Sequence, residues 1–268
     1  MKIFEKYIKP RFDELKVEGP EYLLNNEIKK ADFIGVDSVR LLSTAKFADK
    51  LKNKFNLTFT TGIPSKRFFT QFDFYTRPSV MNRTKLSDNV TLLIYHSTAS
   101  NDEARSHKMR LDSRAFLELH GLNQYHANGE QVELNAKTLE MLNFIFQNKK
   151  QAKLLNFDFA FDYREQAQIC YDYALEKAPF IAEIPNARPS HQRFKTCLYI
   201  QKAQIKDGYQ APLTPLIQNI KLYNKQEKNK LETPLTRLEF CFLAWDTIIF
   251  DTIIFDTIIF DTIIFDIF

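Results

Sequence analysis

The sequence predicts an α+β fold, a mostly antiparallel sheet with flanking helices. Three observations carry this. Short segments that alternate apolar with polar side chains recur along the chain, the period of a pleated strand. Helical stretches fall between them without strict strand–helix alternation, which argues against a parallel sheet. Glycine is scarce beside phenylalanine, 6 against 25 in 268 residues, a balance that favours packed elements over long loops.

Residues 1–30 read as helical, with breaks at Pro10 and Gly19-Pro20. "DFIGVDSVRLLS" (32–43) alternates like a strand, and "AKFADKLKNKF" (45–55) has helical spacing. Residues 57–75 read as two strands around a turn at Gly62 to Pro64. "VTLLIYHS" (90–97) and "RAFLELHGLNQY" (114–125) are further strands, separated by a charged loop over 98–113. "NAKTLEMLNFIFQNKKQ" (135–151) predicts a helix capped by Asn135. A strand over 154–162 follows, then a helix over 165–178 that Pro179 ends. Strands over 194–202, 217–225 and 235–243 complete the domain, with a Pro-rich loop at 210–216 and a short charged segment between the last two. Three parts result: an N-terminal helical segment (1–31), the α+β domain (32–245) and a repeat tail (246–268).

The tail, "DTIIFDTIIFDTIIFDTIIFDIF", repeats every five residues. On a helix that step scatters the aspartates around every side, and on a strand it throws them to alternate faces. Neither gives an amphipathic element, and a tandem duplication of coding sequence explains it more simply than a folding unit. Its Ile/Phe content makes it aggregation-prone.

Net charge is +4, but five aspartates lie in the tail; without them 37 basic residues face 28 acidic ones, a net of +9. That excess suits a polyanionic partner. The three cysteines, Cys170, Cys197 and Cys241, are far apart and lack metal-ligand spacing, as reduced thiols of a cytoplasmic protein would be. The N-terminus has no signal-peptide apolar region, and no apolar run reaches the roughly 20 residues that span a bilayer. A soluble, cytoplasmic protein is expected. No glycine-rich phosphate loop, Ser-His-Asp set or zinc pattern occurs; His120 and His126 fit no metal motif.

The segment "NFDFAFDYRE" (156–165) raises the functional question. Strand periodicity puts Asp158, Ala160 and Asp162 on one face and Phe157, Phe159 and Phe161 on the other. The phenylalanines belong in a core, so the carboxylates must meet water, a cation or a basic partner; a solvent-exposed edge face is the plainest of these. Likewise Lys221, Tyr223 and Lys225 share a face, as do Arg237 and Glu239. A tyrosine between lysines is electrostatically suited to ionise, although such tyrosines also serve as hydrogen-bonded sheet residues. If the three strands are adjacent, the combined surface supports metal-assisted phosphoryl transfer: carboxylates hold Mg²⁺ or Mn²⁺, and tyrosinate attacks phosphorus.

The order "GVDSVRL", "FLELHGLNQY", "LNFDFAFDYRE", "KTCLYIQK", "IKLYNKQEK", "LTRLEFCF" resembles the rolling-circle replication initiators of plasmids and filamentous phages, over about residues 34–243. The resemblance implies a replication-initiator or relaxase-like fold and sequence-specific nicking and joining of one DNA strand at a replication origin. It implies a tyrosine that stays on the 5′ phosphate, a divalent metal, and a host helicase as a further partner; a dimer is compatible with it. Carried over, Asp158, Asp162 and Glu239 are the acidic metal or structural positions, and Arg237 and Lys225 phosphate or carboxylate partners. Tyr199 or Tyr223 is the nucleophile. Lys221, Arg193 and Lys195 are the DNA contacts. The chain departs from the pattern at Asn156 (usually arginine), at Gln201 (usually glycine), and in lacking a later basic residue after "TRLEF". A DNA-binding relative without cutting activity, or truncated at its C-terminus, is therefore the alternative, and an unrelated soluble protein the third.

Overall fold

The computed structural model describes residues 28–62, 78–97, 114–148, 150–166, 168–191, 196–202, 212–214 and 217–243. The predicted N-terminal helix up to residue 27, the charged loop at 98–113 and the repeat tail lie outside them. So does the second predicted strand after Gly62.

Ten strands form one sheet: β1 (Phe33–Thr44), β2 (Thr60–Gly62), β3 (Pro78–Lys85), β4 (Thr91–Ser97), β5 (Arg114–His120), β6 (Ala152–Tyr163), β7 (Ala187–His191), β8 (Cys197–Lys202), β9 (Ile217–Asn224) and β10 (Thr236–Leu243). The helices are α1 (Ala45–Lys54), α2 (Ala136–Gln147), α3 (Tyr171–Lys177) and α4 (Lys225–Asn229), with a 3₁₀ turn at Pro179–Glu183. The strand order is β2-β3-β4-β5-β1-β6-β10-β9-β8-β7, and all nine pairings are antiparallel. The predicted α+β class with a mostly antiparallel sheet is what the chain adopts.

That order is symmetric about the β1–β6 junction. Read from the junction outward, one wing runs β1, β5, β4, β3, β2 and the other β6, β10, β9, β8, β7. Among the described residues each wing has the same chain order, one long strand, a helix and four strands, the second wing adding the 3₁₀ turn after α3 and the short α4 before its last strand. Helix α2 connects them. The sheet is thus built from two copies of one topology, with its two longest strands paired at the centre.

One face of the sheet is apolar. Phe157, Phe159 and Phe161 of β6 lie on it with Val39 and Leu41 of β1, Leu117 and Leu119 of β5, and Phe240 and Phe242 of β10, all buried in one cluster. Phe47 and Leu51 of α1, Met141, Leu142 and Ile145 of α2, and Ala174 of α3 belong to the same cluster. Helix α1 starts where the Thr44 side chain accepts from the Phe47 backbone N–H, and Lys52 and Lys54 close its last turn, both favourable to a helix. Alternation along the strands and helical spacing along α1 and α2 therefore converge on one core.

Several predicted boundaries move. The strand over 114–125 ends at His120, because Gly121 turns the chain with φ +81° and the Gly121 and Leu122 N–H groups donate to the Asp37 carbonyl. A Cβ at residue 121 would meet the Asn89 carbonyl oxygen at 2.1 Å, so only glycine fits. The helix over 165–178 shortens to α3, because Glu165 is held elsewhere: its carbonyl accepts from Thr236 and its carboxylate from Tyr173 at 2.6 Å. Lys225 does not end β9 but opens α4, which the Asn224 side chain caps by accepting from the Glu227 N–H. Strands β3 and β7 were not anticipated; "PSVMNRTK" and "ARPSH" carry too few apolar residues for alternation to register.

The Phe161 ring packs edge-on against Phe159 at 5.2 Å and Phe240 at 5.6 Å and is 1% exposed. Phe161→Ala is expected to cost about 3–5 kcal/mol. A urea titration should show the midpoint falling with the slope unchanged.

Candidate active face of the sheet

The opposite face carries the charge. Registers β6–β10 and β10–β9 place Asp162 against Arg237, Arg237 against Tyr223, and Glu239 against Lys221. Tyr199 on β8 lies against Lys221. Directly opposed residues share a face, so Asp158, Asp162, Glu239, Lys221, Tyr223, Arg237 and Tyr199 all belong to one side of four consecutive strands. The sequence expectation that these strands neighbour one another holds.

The exposed-edge reading of β6 does not. This strand is central, and Asp158 and Asp162 are 3% and 0% exposed. Both carboxylates meet basic partners instead. Asp162 accepts from Arg237 Nε and Nη2 at 2.6 and 2.7 Å, and from the Tyr125 hydroxyl at 2.5 Å. Asp158 Oδ2 accepts from Ser38 at 2.6 Å, Lys221 at 3.1 Å and Arg40 at 3.3 Å. Burial opposes its charge, but Lys221 and then Arg40 hold its pKa far below the carboxylate range. Its Oδ1 has no hydrogen-bond donor among the described residues, with only the weakly donating Cys241 thiol beside it. Glu239 accepts from Lys221 at 2.5 Å and from the Tyr223 hydroxyl at 3.0 Å.

A bulge in β1 adds a further carboxylate. The β1–β6 register slips between Val36 and Ser38, leaving Asp37 unpaired in the ladder, the usual effect of a bulge. Its carboxylate accepts from Gln124 at 2.8 Å and pairs with Arg237 Nη1 at 2.7 Å. Lys225, fully buried, reaches the Asn123 carbonyl at 3.4 Å and Gln124 Oε1 at 3.0 Å. Arg237 is thus engaged by carboxylate and backbone oxygens, and Lys225 by a backbone carbonyl and an amide oxygen, with the Asp37 carboxylate 3.9 Å from its Nζ.

Tyr223 departs from expectation. Lysine neighbours were expected to favour its ionisation, yet burial first and Glu239 second push its pKa well above 10. It is a proton donor to Glu239. Tyr199 is only partly buried, and its pKa is also raised, by burial and Cys197, with Lys221 pulling the other way. Arg193 and Lys195 lie outside the described residues.

Asp158, Asp162 and Glu239 do not fit a three-carboxylate metal site. Both Asp162 oxygens are occupied, and Lys221 Nζ already bridges Asp158 and Glu239. Among the described residues no group of three His, Cys, Asp or Glu side chains is placed to hold a metal, and no described helix is long and apolar enough to cross a membrane.

The sequence reading missed the other wing's contribution. Arg40 pairs with Glu118, which also takes the Tyr95 hydroxyl at 3.3 Å, and His120 Nε2 lies 2.9 Å from Glu118. Tyr95 and Glu118 stand on β4 and β5 as Tyr223 and Glu239 stand on β9 and β10, so each wing carries one tyrosine–glutamate pair. The signal was available: in "VDSVRL" and "FLELH" the same alternation puts Ser38 with Arg40 and Glu118 with His120.

Two pH effects follow. Asp37 and Glu118, each held at about 2 by its arginine against the cost of burial, favour the fold above the ordinary carboxylate range. That support is lost as pH falls towards 2. Lys225 works the other way: burial, then Arg237, lowers it to about 7, so between there and about 10 the unfolded chain binds a proton that the folded chain does not, and stability rises with pH. Thermal unfolding should show Tm climbing from about pH 7 to 9.5, a slope that Lys225→Met flattens.

No family model and no curated protein matches the chain. Among solved structures, it is similar to a rolling circle replication initiator protein from Geobacillus stearothermophilus, at 12% identity and a TM-score of 0.41, covering 83% of this chain and 78% of that one. A likeness at that level carries no argument about chemistry.

Proposed function

We propose that this chain is a rolling-circle replication-initiation protein that nicks and rejoins one DNA strand through a phosphotyrosine link, with Tyr199 as nucleophile. One observation supports this above others: the charged and phenolic residues of the sequence motifs on β6, β8, β9 and β10 meet on one side of four adjacent strands. Of the two candidate tyrosines, Tyr223 is buried and hydrogen-bonded to Glu239. Tyr199, further towards the sheet edge and partly exposed, can meet a DNA strand. Its oxygen forms a bond to phosphorus while the P–O3′ bond breaks. The phenolic proton leaves to solvent or a base, and the 3′ oxygen takes up a proton. The +9 balance outside the tail suits the polyanion.

A second reading, a DNA-binding relative that does not cut, draws on a different observation: Asp158, Asp162 and Glu239 are all neutralised by resident cations.

Supercoiled plasmid carrying the origin from the same replicon, incubated with the protein and Mn²⁺, separates the two. Open circles with covalently attached protein are expected. Tyr199→Phe should lower their formation at least about 100-fold, and Tyr223→Phe should retain it. Binding without nicking favours the second reading; no binding at low salt removes both.

A further inference from the structure

Asp158 and Glu239 lie on neighbouring strands, two residues out of direct register and so on the same face, and a single side chain spans them. Lys221 Nζ is 3.1 Å from Asp158 Oδ2 and 2.5 Å from Glu239 Oε1. The other Glu239 oxygen takes the Tyr223 hydroxyl, and Asp158 Oδ2 also accepts from Ser38 and Arg40. Hard divalent ions need carboxylate oxygens at about 2.0–2.6 Å, and the bridging position between these two carboxylates is filled by an ammonium. A divalent ion added there would stand against both Lys221 and Arg40 in a poorly solvated place, where like charges repel strongly.

We propose that Lys221 is the resident cation of the Asp158–Glu239 pair, standing where a divalent ion would bridge them, and that the pair becomes a Mg²⁺ or Mn²⁺ site only when that ammonium is removed. Two features support it. The Lys221 side chain is 17% exposed and both carboxylates 4%, so the ammonium is held by the pair more than by water. Asp158 Oδ1, buried with no better donor than the weak Cys241 thiol, is a ligand oxygen that Lys221 does not engage. The first wing solves the same problem differently: Glu118 is neutralised by Arg40 from β1, and Leu93 faces it from β4, the position Lys221 holds opposite Glu239 on β9. The inference concerns ion binding and stands whether or not the chain cuts DNA.

The test is manganese uptake by the full chain, read by EPR from loss of the free-ion signal, alongside Tm with and without the ion. Wild type and Lys221→Arg should bind no manganese at this pair. Lys221→Ala should have a lower Tm in EDTA and take up one ion per chain. It should bind tightly enough that roughly 1 mM Mn²⁺ restores several degrees of Tm, and Asp158→Asn in the same background should abolish the uptake. Uptake by wild type that Asp158→Asn or Glu239→Gln removes overturns the proposal, as does a folded Lys221→Ala that binds none. Uptake insensitive to those two substitutions lies elsewhere and counts as none at this pair. Should Lys221→Ala fail to fold in either buffer, the wild-type titration decides alone, no uptake at the pair upholding the proposal and uptake there overturning it.

Discussion

The structure depends on one constraint: a charge placed inside a sheet must be paired, because leaving it unpaired costs several kcal/mol or more. The central strand β6 is covered on both faces, yet carries Asp158 and Asp162 on one of them. Much of that face answers to these two carboxylates. Arg237 grips Asp162 with two nitrogens, Lys221 and Arg40 flank Asp158, and the segment after β5 brings Asn123, Gln124 and Tyr125 over the rest. Ion pairs of this kind add little net stability over apolar residues of equal size. Their effect is on register. A one-residue slip of β6 would turn its aspartates into the phenylalanine cluster, so pairing of charge and packing of rings specify the same alignment.

The two-wing architecture explains why the charges meet where they do. Both wings send their longest strand to the centre, and the last strand of each wing, β5 or β10, lies beside it. The glutamates of those last strands, Glu118 and Glu239, consequently flank the β1–β6 pair from opposite sides. Each receives a tyrosine hydroxyl from the next strand out. The wings then diverge: the cation comes from the central strand on one side and from the outer strand on the other. Tyr199, next to that outer lysine, has its place in the second wing alone.

Much of this was legible in the sequence, because period-two alternation depends only on backbone geometry. It placed the phenylalanines of β6 in the core, paired Arg237 with Glu239 on one face, and set Lys221 beside Tyr223. It could not reveal that the charged face is enclosed, since alternation distinguishes two faces without saying what covers either. That is why Asp158 and Asp162 read as ligands for an outside cation when Arg40, Lys221 and Arg237 already supply the charge. The same limit applies to Tyr223, whose neighbour Lys221 is spent on carboxylates and Lys225 on the Asn123 carbonyl and the Gln124 amide oxygen rather than on its own oxygen. Asp37 was invisible for another reason, since a bulge breaks the period that alternation relies on. The wing duplication left no trace either, being a likeness of topology with scarcely any shared residues beyond one tyrosine and one glutamate.

The central claim is that the charged face is a coupled network across strands, and a double-mutant cycle on Asp162 and Arg237 tests it most directly. Unfolding free energies of wild type, Asp162→Asn, Arg237→Met and the double variant give the coupling. A paired, buried network predicts a coupling of roughly 2–3 kcal/mol, with the double variant more stable than the sum of the single losses implies. Losses that add to within about 0.5 kcal/mol would contradict it.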